Sequence, residues 1–133
     1  MRFWCRELRS DSGGAGRQRG GLGQRIELES ANDEAMTLFL SVERVRYPAR
    51  GRRGGMAGAP GRIRIGDGPD LPGKGEVRIE PGQRLLFETP GGGGFGDPST
   101  RDREVVGRDL EEGLISPESA RRVYGFTGRE ASE

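Results

Sequence analysis

The run Thr89-Pro90-Gly91-Gly92-Gly93-Gly94-Phe95-Gly96-Asp97-Pro98 is where this chain most needs a chemical or steric reason. Glycine loses more backbone freedom on folding than any other residue. Four in a row within an ordered context therefore call for φ > 0 at several positions, or for a ligand or another backbone closer than a Cβ allows. A flexible linker is the alternative, but an aromatic, an Asp-Pro turn and a helix start follow at once. A second run, Ser12-Gly13-Gly14-Ala15-Gly16 with Arg17, combines small residues with a guanidinium and can turn backbone N–H groups toward an anion. The candidate ligand-facing or close-packing residues are thus Asp11, Ser12, Gly13, Gly14, Arg17, Gly91, Gly92, Gly93, Gly94 and Asp97. Valine at Gly93 is expected to do far more harm than alanine at Gly14.

Other chemistries find little support. The sequence has no histidine, which excludes Ser-His-Asp and Cys-His catalysis and every His-containing metal site, and its single cysteine, Cys5, cannot build a zinc site. Ser12 lacks the first glycine of a nucleophile elbow. Gly91, Gly93 and Gly96 satisfy G-x-G-x-x-G, but in a tetraglycine the match is nearly automatic. Gly68 to Lys74 follows most of a phosphate loop, yet Gly75 stands where Ser or Thr must hold Mg²⁺, and Pro69 and Pro72 remove N–H donors. Asp11, Asp67, Asp70 and Asp97 match no cation-loop spacing and read as turn formers. The clusters Arg17-Gln18-Arg19-Gly20-Gly21 and Arg50-Gly51-Arg52-Arg53-Gly54-Gly55 have Tyr47 as their only close aromatic for base stacking. No catalytic residue and no metal ligand is assigned.

Leu, Ile, Val and Phe together number 26 of 133 residues, and Gly plus Pro 33. These values lie near the compositions of about 20% and 25–30% at which chains stop building their own core. The chain is therefore expected to be part of a larger body. Residues 1–66 carry 13 basic and 7 acidic groups, and residues 67–133 carry 9 and 14. No apolar run approaches the roughly 20 residues of a membrane span, and a single cysteine points to the cytoplasm.

Alternation predicts strands at Gln24–Ser30 (Ile26 and Leu28 on one face) and Met36–Val45, joined as a hairpin. Further strands are predicted at Arg62–Ile65, Glu76–Ile79 and Arg84–Thr89, with a type II turn at Glu80-Pro81-Gly82-Gln83. A helix starts near Thr100 or Asp102 and stops at Gly113. A second has Ser116 as N-cap, Pro117 in its first turn and Gly125 just past its end. The fold class is α+β: a glycine-rich β-region over 1–98 with about five short strands, a helical hairpin over 99–126, and a disordered tail over 127–133.

Four runs in this order resemble the C-terminal end of the hydantoinase B/5-oxoprolinase family, related to acetone and acetophenone carboxylase subunits. They are Leu8-Arg9-Ser10-Asp11-Ser12-Gly13-Gly14 continuing to Gly23, Gly54-Gly55-Met56-Ala57-Gly58-Ala59-Pro60-Gly61, Thr89 to Pro98, and Asp109 to Ala120. The resemblance implies a partial B subunit of an ATP-dependent cyclic-amide hydrolase. Its expected partners are the remainder of the B subunit and a hydantoinase A-type ATP-binding subunit, and its substrate a small cyclic amide. ATP and a divalent metal are expected in the complete complex, with none bound by this chain, and neither a membrane nor nucleic acid is expected. The alternative is a non-enzymatic β-rich module using its Arg-Gly loops on RNA or an acidic protein.

Overall fold

A computed structural model describes residues 2–31 and 33–126; the tail expected over 127–133 lies outside them. The described chain forms β1 (Arg2–Leu8), β2 (Gln24–Glu29), β3 (Met36–Ser41), β4 (Arg62–Ile65), β5 (Lys74–Ile79), β6 (Arg84–Glu88), α1 (Arg103–Glu111) and α2 (Pro117–Arg122). A short 3-10 turn at Pro98–Thr100 precedes α1. The strands make two antiparallel sheets, one ordered β1-β2-β6-β4 and the other β3-β5. No described helix is long and apolar enough to cross a membrane.

The alternation read from the sequence sets the faces. Register places Ile26 beside Phe87, Leu28 beside Leu85, Ile63 beside Phe87 and Ile65 beside Leu85. Their side chains leave one face of the four-stranded sheet and pack with the two-stranded sheet, where Val42, Ile63, Ile79 and Leu85 are buried and Leu38 and Leu40 lie against them. A second cluster, Val106, Ile115, Ala120, Tyr124 and Phe126, joins the two helices and takes in Ala15 from the first glycine run.

Two sequence expectations are corrected. β2 and β3 do not form a hairpin: β2 lies between β1 and β6, while β3 pairs with β5. Alternation fixes which face a strand buries, but not its neighbour, which is chosen by contacts distant in sequence. β1 was not expected, because charges interrupt its apolar residues. It is an exposed edge strand held through Cys5 opposite Glu27 and Glu7 opposite Arg25. The turn at Glu80–Gln83 closes as expected, with Gly82 at φ +84° and the Gln83 N–H donating to the Glu80 carbonyl at 3.1 Å. It passes the chain from one sheet to the other.

Both helices begin and end where their caps predict. The Asp102 carboxylate accepts the Glu104 N–H at 2.9 Å, and the Ser116 hydroxyl accepts the Ser119 N–H at 3.1 Å. Gly113 (φ +74°) and Gly125 (φ +63°) take the left-handed conformation that ends a helix.

Candidate functional site

The candidate residues gather where the glycine runs meet. The N–H groups of Gly91 and Gly94 donate to the carbonyls of Ala59 (3.0 Å) and Met56 (2.9 Å). Those of Gly92 and Phe95 donate to Gly21 and Gln18, each at 2.9 Å. Ala59 and Met56 in turn donate to Ser12 (2.8 Å) and Ala15 (2.7 Å). Each pair steps by three residues on both strands of the pairing. A step of three residues is the period of a polyproline II helix, here in antiparallel pairings bonded sideways to several neighbours.

This period explains the glycines. None of Gly91–Gly94 has a positive φ, so close approach is the reason for them. A Cβ on Gly91 would strike the Ser12 carbonyl, one on Gly93 the Arg50 carbonyl, and one on Gly94 the Ala15 carbonyl. A Cβ on Gly92 would press on the Gly21 nitrogen at 3.2 Å. The neighbours answer in kind: Gly58 and Gly55 face Gly91 and Gly94, and Gly20 and Gly23 face Gly92 and Thr89. Spacings of three (Gly13/Gly16, Gly20/Gly23, Gly55/Gly58) were the sequence signal for this bundle, as in collagen, where only glycine fits the crowded axis. Gly14 faces the Met56 carbonyl and the Gly94 nitrogen as tightly as Gly93 faces its neighbour. The expectation that valine at Gly93 does far more harm than alanine at Gly14 is therefore corrected, since a Cβ at either position meets a backbone carbonyl.

The other candidates divide. Ser12 is buried; its hydroxyl donates to the Arg9 carbonyl at 2.7 Å and accepts the Gly23 N–H at 2.8 Å. Asp11, at φ +64°, accepts the Ser116 N–H at 2.9 Å and so ties the first glycine run to the start of α2. Arg17 and Asp97 line one open cleft of about 490 Å³ at the end of the bundle, with Arg53, Phe95, Gly96 and Thr100. The Arg17 guanidinium lies 5.9 Å from the centre of the Phe95 ring. Among the described residues neither Arg17 nor Arg53 has a carboxylate partner, and Arg53 holds a left-handed φ of +54°. Sequence reading missed Arg53 and Phe95 as cleft residues.

Asp97 carries a pH dependence. The Ser99 N–H (2.9 Å), then the Ser99 hydroxyl (2.8 Å), hold its carboxyl below the usual aspartate range. A depressed carboxyl stabilises the fold above its unfolded pKa and loses that contribution as pH falls through the folded one. The Ser99 amide signal is therefore expected to titrate below the ordinary aspartate range, and Asp97→Asn to abolish that titration.

A buried ion cluster fastens the helices to the bundle. Asp109 on α1 meets Arg19 at 3.0 Å and Arg101 at 3.1 Å. The same two arginines donate to the Gly20 and Arg17 carbonyls, each at 3.0 Å. Arg19 of the first Arg-Gly cluster is thereby engaged within the chain.

No three of His, Cys, Asp or Glu come together among the described residues to hold a metal ion. Asp70 pairs with Arg62 at 3.1 Å, and Lys74 of the phosphate-loop-like stretch pairs with Glu43 at 2.8 Å.

Comparison with known proteins shows what this chain is similar to. The profile described as Hydantoinase B/oxoprolinase matches residues 1–98. The caprolactamase subunit beta of Pseudomonas jessenii is 38% identical over 126 residues, covering 89% of this chain and 22% of its own length. 5-Oxoprolinase 1 of Arabidopsis thaliana is 39% identical over 99 residues, covering 67% of this chain and 7% of its own. The crystal structure of the ATP-dependent caprolactamase from Pseudomonas jessenii superposes with a TM-score of 0.75 at 32% identity, over 92% of this chain and 22% of that one. A nucleotide-free acetone carboxylase structure, at 22% identity and a TM-score of 0.60, shares the fold. The chain spans about a fifth of the length of the curated relatives it matches first (21% and 22%). With the profile match over residues 1–98 and its glycine runs in the bundle described above, the chain belongs to the hydantoinase B/oxoprolinase family.

Proposed function

We propose that this chain is part of the B subunit of an ATP-dependent cyclic-amide hydrolase. The observation that carries the proposal is the near-complete coverage of this chain, 89% by the caprolactamase subunit beta in sequence and 92% by a chain of the caprolactamase crystal structure. Opening an unstrained amide ring is slow because the amide carbonyl is a poor electrophile, and phosphorylating its oxygen makes a far better one. The described residues supply neither a phosphate loop nor a metal cluster. In this proposal nucleotide and metal therefore fall to the remainder of the B subunit and to an A-type partner subunit.

What this chain contributes is a rigid wall. The three-residue bundle holds Phe95 and Gly96 in fixed register, and the Arg17–Phe95–Arg53 cleft at its end is the side offered to an anion. The Gly92–Gly94 stretch acts by packing against its own chain. A cytoplasmic setting belongs to the same proposal, motivated by the single cysteine.

The purified chain is expected to show no ring opening of 5-oxoproline, hydantoin or caprolactam, with or without ATP and divalent metal. Product formation would be followed by chromatography. Turnover by this chain alone would overturn the proposal that it is one part of a shared active site.

A further inference from the structure

On the outer face of the four-stranded sheet two arginines, Arg64 and Arg84, stand outside the ion pairs that engage most of their neighbours. Alternation places Glu27 and Glu29 of β2, Arg84, Leu86 and Glu88 of β6, and Arg62 and Arg64 of β4 on the face opposite the apolar core. The carboxylates that β2 and β6 place on this face are engaged, and Glu7 of β1, opposite Arg25, lies on it as well. Glu88 takes Arg9 at 3.1 Å and Arg62 at 3.7 Å, and Glu27 takes Arg25 at 3.4 Å. Glu29 accepts the Trp4 indole N–H at 2.8 Å and pairs with Arg2 at 3.8 Å. Arg64 and Arg84 have no carboxylate partner among the described residues, and Asp67, at the rim, pairs with neither.

Both arginines line one cleft of about 630 Å³ together with Arg25, Glu27 and Asp67, three guanidinium groups to two carboxylates, and Leu86 is buried in it. The Nε of Arg64 is out of water without a hydrogen-bond acceptor, as is that of Arg25. The Arg84 guanidinium is stacked 3.9 Å over the Trp4 ring, which keeps it in place. A guanidinium N–H removed from water and left unbonded is costly, and a carboxylate is the acceptor whose geometry and charge match it. Exposed tryptophan and arginine around an apolar floor are the composition of interface hot spots.

We propose that this cleft is a docking site for an acidic, partly apolar segment of a partner polypeptide, with a carboxylate received between Arg64 and Arg84 and an apolar side chain over Leu86 and Trp4. The site stands apart from the Arg17–Phe95 cleft and does not depend on the enzymatic reading, so either can fail alone.

The test uses the full chain with 5-fluorotryptophan at Trp4, its one tryptophan. The probe is a short capped peptide of alternating glutamate and leucine, and the control is its glutamine counterpart. Saturable 1:1 binding that moves the fluorine signal is expected for the glutamate peptide. Binding should weaken about tenfold or more in Arg64→Gln and in Arg84→Gln, and not in Arg121→Gln. Circular dichroism of each variant establishes that it is folded. Equal binding of the glutamine peptide, unchanged affinity in folded Arg64→Gln and Arg84→Gln, or an unmoved fluorine signal would each overturn the proposal. Displacement of the peptide by acetate at equal carboxylate concentration would overturn it too, marking a small-anion site.

Discussion

Alanine at Gly94 is expected to destabilise the chain by about 3 kcal/mol, the upper end of ordinary overpacking costs. The added Cβ would meet the Ala15 carbonyl and the Gly14 carbonyl at once. Both are backbone atoms, so no rotamer change relieves the clash. They are also fixed by other bonds: Ala15 accepts the Met56 N–H at 2.7 Å, and Gly14 accepts the Gly20 N–H at 2.9 Å. Moving them would open the bundle on two sides. Gly21 is the control, because a Cβ there meets nothing within 4 Å. Gly21→Ala should be neutral or stabilising by about 0.5 kcal/mol through a less flexible unfolded chain. Urea melts of the two variants test the contrast. A Gly94→Ala protein that melts like the parent would mean the tetraglycine is a linker.

Asp109→Asn is expected to cost about 3–5 kcal/mol, the range for breaking a buried ion pair by removing one partner. Asp109 is 5% exposed and is the carboxylate for both Arg19 and Arg101. Asparagine keeps the shape but leaves two guanidinium groups in a poorly hydrated place, where the Arg101 Nε already lacks an acceptor. The helices should loosen from the bundle, read as faster hydrogen exchange at Tyr124 and Phe126, whose side chains are in the same cluster. Glu118→Gln breaks an exposed pair with Arg122 on α2 and should change stability little, since exposed pairs are worth little. Equal effects of the two substitutions would contradict the assignment of Asp109 as the anchor.

The parts of this structure legible in the sequence are those decided locally. Ser116, Pro117 and Gly125 mark the ends of α2 because capping is settled within a few residues, and Pro81-Gly82 names its turn for the same reason. The inner face of β2 was legible because Ile26 and Leu28 alternate with charged residues; in β6 the adjacent Leu85 and Leu86 are both buried, so no alternation marks a face there. Strand partners were not. The neighbour of β2 is set by β1 and β6, and nothing in Gln24–Ser30 encodes which of them it meets. β1 escaped notice because its side chains are mostly exposed and need no apolar pattern.

The site was legible by half. Four glycines signalled close approach or positive φ, and the backbone contacts select the first. What approaches them is other glycine runs of the same chain, visible beforehand only as spacings of three at Gly55/Gly58 and Gly20/Gly23. Ser12 stood in a run read as anion-facing, but its hydroxyl is engaged with the Arg9 and Gly23 backbone, and Asp11 accepts the N–H of Ser116 at the start of α2. Arg17 and Asp97 come together at the cleft, while Arg53 and Phe95 join them through folding and share no motif with them.

The most direct measurement exchanges the matching segment of the Pseudomonas jessenii caprolactamase subunit beta, about a fifth of that subunit at 22%, for residues 2–126 of this chain. The readout is ATP-dependent ring opening of caprolactam by the assembled enzyme. The account predicts that the hybrid assembles and turns over caprolactam only with ATP, and that Gly94→Ala in the grafted segment abolishes both. A hybrid that fails to assemble, or one that assembles with native stability and opens no ring, would contradict the claim that this chain is a working part of such a B subunit.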